Sequence, residues 1–268
     1  MSENSGTWVY AVTADQGQTA VPEVTGVGGG PVRAVGGAGL VAVVSAVDLA
    51  EYGEEPLRRN LENLEWLEKT ARAHHDVIGA VSETAPVVPM QLATVYRSDD
   101  RVRALLADRR DDFLAALEVI QGRTEWGIKI YVPAEPADAA DTQQPADTAR
   151  PGAAYLQRRR SQLSAREDAR HAAASSAEAI HAELTGLAAA ARLHKPQHPQ
   201  LTGRAEPMIL NSTYLVDDEQ AGTFAAAADE LAGQHPGVRV ELTGPWPPYS
   251  FTLPDDHDAY TGEGVFGE

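Results

Sequence analysis

The sequence has no cysteine. Disulfides, thiolate nucleophiles and cysteine-bearing zinc sites are therefore excluded. It opens Met1-Ser2-Glu3-Asn4-Ser5-Gly6, without a basic stretch followed by an apolar core, so no secretory signal is expected there. Long hydrophobic runs are missing too. The most apolar tract, between Arg33 and Asp48, is about 14 residues long and broken by glycine, below the roughly 20 needed to cross a bilayer. These absences set the expectation of a cytoplasmic protein with no membrane insertion. Positive charge is scarce: 22 Lys and Arg stand against 39 Asp and Glu, a net charge of −17 and a pI near 4.8. Such a surface argues against binding nucleic acid, which rests on phosphate neutralisation, and against docking on anionic lipid. It favours solubility, which suits a protein that handles a hydrophobic partner.

With 268 residues, 43% of them hydrophobic, the chain has material for one large domain or two of ordinary size. Thr7–Thr13, rich in β-branched and aromatic residues, reads as a first strand. The glycine-rich stretch from Asp15 to Pro31 reads as a loop. Val32–Val35 and Leu40–Val47 read as a hairpin turning at residues 36–39, and the unbroken apolar run Leu40–Val44 predicts a central strand covered on both faces. Pro56 opens an expected helix whose apolar stripe runs through Leu57, Leu61, Leu64, Ala71 and Ile78. Thr84–Tyr96 returns to strand, with Pro86 and Pro89 marking an edge.

Asp99 and Asp100 are expected to cap a helix that ends at Gly122, and Ile128, Ile130 and Val132 alternate as a strand. Residues 133–150 are acidic and proline-bearing and read as a loose loop. A long alanine- and arginine-rich helix then runs from Pro151 to about Leu193. Leucine and alanine recur in it at multiples of seven, so its narrow seam fits either its own domain or another helix, which makes self-association through this helix a further partner reading. Met208–Val216 is a strand, Asp217 and Asp218 head a helix, and Val238–Leu242 is the last strand. An Asp pair thus twice stands between a strand and a helix that a strand follows. This predicts a repeated βαβ unit of ferredoxin-like type, with the long helix as an insertion. The expectation is an α+β protein of two domains: residues 1–96, a reduced ferredoxin-like sheet with one main helix, and residues 97–254, a ferredoxin-like sheet with an acidic loop at 133–150 and a helical insertion at 151–195. Residues 255–268 form an acidic tail.

Signs of chemistry are few. His74 and His75 are adjacent, so on a helix they point about 100° apart and do not close on one metal ion. His74 sits on the apolar edge and reads as a packed, hydrogen-bonded histidine. Residues 26–30 (GVGGG) resemble a phosphate loop, but no helix follows and no Gly-Lys-Ser/Thr closes it, so close backbone approach or a flexible connector is the better use. The carboxylate pairs Asp99-Asp100 and Asp217-Asp218 sit at helix starts, and Asp111-Asp112 on an exposed turn. No nucleophile elbow appears. No catalytic residue, cofactor-binding residue or metal ligand is assigned. Arg158-Arg159-Arg160 is the densest basic patch, either a solvated helix face or a docking point for an acidic surface.

The chain closes its last strand with residues 243–251, TGPWPPYSF, in which three of four positions from Pro245 to Pro248 are proline. Proline lacks an amide donor, so strand pairing is expected to stop there. Trp246, Tyr249 and Phe251 ride on this stiff stem, either as a lid on the core or as an anchor for a partner. The segment resembles the C-terminal signature of the gas vesicle accessory family GvpF/GvpL. Agreement in the same order comes from NLEWLEKTARAHHDVI at Asn63–Ile78, VVPMQLATVYRSDDRVRALL at Val87–Leu106 and EWGIKIYV at Glu125–Val132. The resemblance implies a non-enzymatic assembly factor at the gas vesicle, with a ferredoxin-like N-terminal domain and an α+β C-terminal domain. It implies binding to the small hydrophobic shell protein and to other accessory proteins. Trp246, Pro247, Tyr249 and Phe251 are the candidate contacts, with Trp126 as a neighbour and Arg158, Arg159 and Arg160 as a docking patch. The alternative is a ferredoxin-like ligand-binding protein or enzyme, which would need a deep pocket with buried ionisable groups.

Overall fold

The computed structural model describes residues 4–17, 21, 23–133, 151–197 and 206–252, with the backbone alone for residues 151–156, 158 and 162. Its contacts divide the chain into one unit of Met1–Glu125 with Pro245–Glu268, and a second of Trp126–Gly244.

The first unit is built on a sheet of β1 (Ser5–Ala14), β2 (Val32–Gly37), β3 (Leu40–Asp48), β4 (Val88–Pro89) and β5 (Val95–Tyr96). The order is β2-β3-β1-β4, with β5 also on β1. All of these pairs are antiparallel. Reversed, the order is 4-1-3-2, that of a ferredoxin-like βαββαβ unit. Where the first crossover helix would stand, the described residues of the glycine-rich loop carry a 3-10 turn at Val27–Gly29. This is the reduced, ferredoxin-like sheet expected from the sequence.

Both faces of the sheet are covered. On one side Trp8, Tyr10, Val43 and Val47 pack with Val77, Ile78 and Val81 of α3 (Leu64–Ser82). On the other, Val9, Val12, Leu40, Ala42 and Val44 pack with α4 (Asp99–Asp108) and α5 (Arg110–Ile120) through Val102, Leu106, Phe113 and Ile120. An irregularity in pairing between Val9 and Ala11 shifts the alternation along β1. The unbroken apolar run in β3 follows from this double burial.

The second unit contains most of β6 (Arg123–Tyr131), then α6 (Pro151–Gly186), β7 (Ala190–Leu193), β8 (Met208–Asp217), α7 (Ala221–Gln234) and most of β9 (Arg239–Trp246). Its strand order, β7-β8-β6-β9, is again 4-1-3-2 when reversed, now with both crossover helices present. One face is apolar: Trp126, Ile128 and Ile130 of β6 and Leu210, Tyr214 and Val216 of β8 pack against Ala173, Ala177, Ile180 and Leu184 of α6 and Phe224, Ala228 and Leu231 of α7. Every other residue on each strand and every third or fourth on each helix meet there, as the two periods require.

Several elements differ from the sequence reading. The helix expected from Pro56 is divided into α2 (Glu54–Asn60) and α3, because Asn63 caps α3 by accepting from the backbone of Glu65 and Trp66, and a short α1 (Leu49–Tyr52) precedes them. Thr84–Tyr96 forms only two short pairings on the edge of β1. Pro89 lacks an amide donor, and Ala93 takes a positive φ of 71°. Ser98, not Asp99, caps α4, and Arg109 separates α4 from α5. The long helix is not an insertion between repeats. It is the first crossover of the second unit, ending at Gly186 so that β7 forms. A break after Tyr96 differs from the observed division, because α4 and α5 complete the first unit's core and residues 245–252 return to it. Residues 134–150 of the acidic loop and the tail at 255–268 lie outside the described residues.

Candidate functional site

The closing segment has the clearest surface feature. β9 does not stop at the first proline. It runs through Pro245 to Trp246, with Gly244 at φ 122°. Pro248 is buried, and Tyr249–Phe251 form a 3-10 turn. Glu125 holds that turn: its carboxylate accepts from the backbone nitrogen of Ser250 and from the Ser250 hydroxyl, each at 2.7 Å. The turn sends its aromatics to different fates. Phe251 packs against the core beneath α4 and α5. Trp246 and Tyr249 stay 42% and 39% exposed. The aromatics of one short segment thus divide between a packed ring, Phe251, and two exposed ones, Trp246 and Tyr249.

His75 of α3 organises the exposed pair. Its ring lies 5.4 Å from that of Trp246, edge to face, and 6.2 Å from that of Tyr249, nearly parallel. Its Nδ1 is 3.2 Å from the Tyr249 hydroxyl. Burial around that hydroxyl, with the charge of Glu125 adding to it, pushes the Tyr249 phenol well above its usual range, so it stays protonated. Trp246, Tyr249, His75, Ala71, Arg72, Glu68 and Glu125 line an open groove of about 500 Å³. Arg72 is turned to Glu68 at 2.6 Å along the helix.

The remaining candidates are elsewhere. Pro247 is half-buried, and its carbonyl accepts from Tyr249. Trp126 belongs to the second unit's core, 9% exposed with its ring 6.1 Å from Phe224, and its Nε1 has no hydrogen-bond partner there. Arg159 and Arg160 are exposed on α6, and the Arg158 side chain lies outside the described residues. The sequence does not mark His75 and Glu125 as members of this groove. The adjacency of His75 to His74 drew attention to metal chemistry instead, and Glu125 in EWG carries no mark of its distant partner Ser250.

His74 is a buried structural histidine, as its place on the apolar edge predicts. The Trp8 indole donates to Nδ1 at 2.9 Å, so Nε2 carries the proton that faces the Met90 carbonyl at 3.1 Å. Burial holds its pKa down to about 4. The glycine loop serves close approach: a side-chain carbon at Gly26 would lie 2.5 Å from the Tyr10 hydroxyl. That hydroxyl accepts from the Val27 amide and bonds to Ser45. A second cavity, about 440 Å³, opens beside this loop, and its charged lining residues Glu51, Lys69 and Asp76 are exposed. Among the described residues no group of three or more His, Asp or Glu is placed to hold a metal ion, and no helix is long and apolar enough to cross a membrane.

Two units sharing one ferredoxin-like strand order, with an exposed aromatic groove on the first, define a tandem α+β protein with a surface suited to binding. The model of the family described as gas vesicle synthesis protein GvpL/GvpF matches residues 6–252, and the chain belongs to that family. A curated relative, gas vesicle protein L of Streptomyces sp. (strain CB03234), is 41% identical, with 97% of each chain covered. Gas vesicle protein F of the same organism is 26% identical over 91% of this chain and 98% of the relative. Two crystal structures share the fold: GvpF from Anabaena sp. PCC7120, at TM-score 0.63 and 19% identity over 93% and 97% of the two chains, and GvpF from Microcystis aeruginosa, at TM-score 0.64 and 15% identity over 93% and 99%. An accessory role in gas vesicles follows from the family.

Proposed function

We propose that this protein acts in gas vesicle assembly by binding the hydrophobic shell protein and other accessory proteins, holding the shell subunit out of aggregation or helping to nucleate the shell. Membership of the family over residues 6–252 carries this reading. It is supported by the exposed ring pair of Trp246 and Tyr249 on a chain with a net charge of −17, an apolar contact surface on a body that resists aggregation. The action needs no chemical step, so we read the protein as a non-enzymatic binding factor at the gas vesicle. Trp246 and Tyr249 are the principal contacts, Pro247 stiffens their stem, and Phe251 anchors the segment from below. Arg159 and Arg160 offer a separate docking patch on α6 for an acidic surface. The test is co-expression with a gas vesicle shell protein. The shell protein is expected to stay soluble and co-elute, and the Trp246→Ala, Tyr249→Ala double variant is expected to lose it. A shell protein that precipitates alone, with this protein folded and in excess, removes direct binding. A complex that survives the double variant removes the aromatic assignment.

A further inference from the structure

We propose that the outer edge of β9 pairs with β9 of a second copy of this chain, antiparallel and across a two-fold axis at Val240. β9 is the last strand of its sheet: β6 lies on one side, and among the described residues no strand lies on the other. Its residues from Arg239 to Gly244 are all half-exposed. An unpaired edge presents a row of backbone donors and acceptors to another chain, and proteins guard such edges with proline, bulges, charge or short strands. β7, the opposite edge, has only four residues, and Gly244 at φ 122° and Pro245 interrupt the end of β9. Between Val238 and Thr243 there is no proline or glycine, and the two charges are of opposite sign.

This stretch is complementary to itself. With the axis at Val240, Val238 faces the second copy's Leu242 and Arg239 faces the second copy's Glu241, each twice. Directly opposed residues share one side of an antiparallel pair. Val238, Val240 and Leu242, which pack in the apolar layer with α6 and α7, therefore continue that layer across the junction. Val240 and Leu242, half-buried at the margin, gain cover there. An axis one residue either way sets Arg239 against Arg239 or Glu241 against Glu241, so charge selects a single register. Arg239 already meets Glu206 and Glu241 of its own chain. The opposed charges thus choose the register, while backbone bonds and apolar cover supply the strength.

The full chain has no cysteine, so single cysteines report the geometry directly. Val240→Cys sets two thiols at the axis, with α-carbons about 5 Å apart and within disulfide reach. Thr243→Cys leaves its two thiols roughly 20 Å apart along the strands. Under diamide at about 0.15 M salt, Val240→Cys is expected to give a dithiothreitol-sensitive dimer and Thr243→Cys to remain monomeric. Glu241→Arg added to Val240→Cys opposes two arginines at each pair and should slow cross-linking about fivefold or more. Arg239→Glu added to Val240→Cys should slow it likewise. An equimolar mixture of the two double variants should recover cross-linking, since each opposed pair again joins unlike charges. Circular dichroism checks that each variant is folded, and if a double variant is not, Val240→Cys against Thr243→Cys still decides the axis. Equal cross-linking at both positions, no cross-linked dimer of Val240→Cys, or a rate unmoved by Glu241→Arg each overturns the pairing. A parent chain that sediments as a dimer while Val240→Cys stays uncross-linked associates through another surface, the long helix included, and overturns it too.

Discussion

Ser250 donates two hydrogen bonds to one carboxylate, that of Glu125, from its backbone nitrogen and from its hydroxyl, both at 2.7 Å. The pair lies 125 positions apart in sequence and pins the closing segment to the start of β6. Glu125 is only 6% exposed, so its charge depends on such donors. Ser250→Ala removes one bond and should cost about 1 kcal/mol; Glu125→Ala strands both donors and should cost about 2–3 kcal/mol. Thermal unfolding measures both. Glu125→Ala should also alter Trp246 fluorescence, and equal costs for the two variants would show that the carboxylate does not organise the turn.

His74 makes stability depend on pH. Its folded pKa, about 4, lies below the ordinary value of 6.5, so the unfolded chain binds the proton first. Stability is therefore full above about 6.5 and declines as pH falls towards 4. The gap corresponds to about 3 kcal/mol for this buried group. Urea unfolding between pH 7 and pH 4 should show the loss. His74→Gln should flatten that part of the profile while lowering stability at pH 7, since a charged Nδ1 no longer meets the Trp8 indole.

Arg33 of β2 meets Asp99 of α4 through two bonds of 2.7 Å, and Thr7 of β1 donates to the same carboxylate at 2.9 Å. The Arg33 hydrogen bonds hold the Asp99 pKa below the usual carboxylate value. Its contribution is thus present above that usual value and lost as pH falls through the lowered one. Both side chains are partly exposed, so Arg33→Gln should cost only about 1 kcal/mol. A double-mutant cycle with Asp99→Asn measures the coupling, and additive costs would show that Arg33 and Asp99 do not stabilise the protein through each other.

Asn63 separates α2 from α3 by capping the second helix. Asn63→Ala should destabilise the protein by about 1 kcal/mol, and Asn63→Asp should retain most of the cap. Chemical denaturation with far-ultraviolet circular dichroism distinguishes these outcomes.

Much of the fold was legible because local physics and tertiary structure agree. The β-branched run of β1 and the apolar run Leu40–Val44 of β3 appear where expected, and the hairpin expected to turn at residues 36–39 turns at Ala38-Gly39, with Gly36 and Gly37 still paired in β2. His74 was legible as a core residue from its place on the apolar stripe. Other boundaries were not. α2 and α3 share one apolar periodicity, so the cap at Asn63 competes with a pattern that continues across it. The Asp pairs at residues 99–100 and 217–218 suggested one repeat, yet the true repeat runs from β6 through α6 and β7 to β9. Four-residue β7 is too short, and too rich in alanine, to stand out from the end of a helix. The expected stop at Pro245 failed because a proline lacks a donor but keeps its carbonyl, and so can remain in a strand.

The sequence by itself determined the family, the strand-forming core segments, the absence of cysteine chemistry and the presence of three aromatics on a proline stem. Each follows from residue identity or from a period of two or 3.6 that survives without a partner. The tertiary structure alone decided which aromatic is buried and which is exposed. Phe251 and Tyr249 stand two positions apart on the same stem, and nothing local separates them. The difference comes from the Glu125 carboxylate, which fixes the turn at Ser250 and points one ring at the core and the other at His75. Long-range pairing of this kind depends on groups that only folding brings within 3 Å, and no periodicity records it.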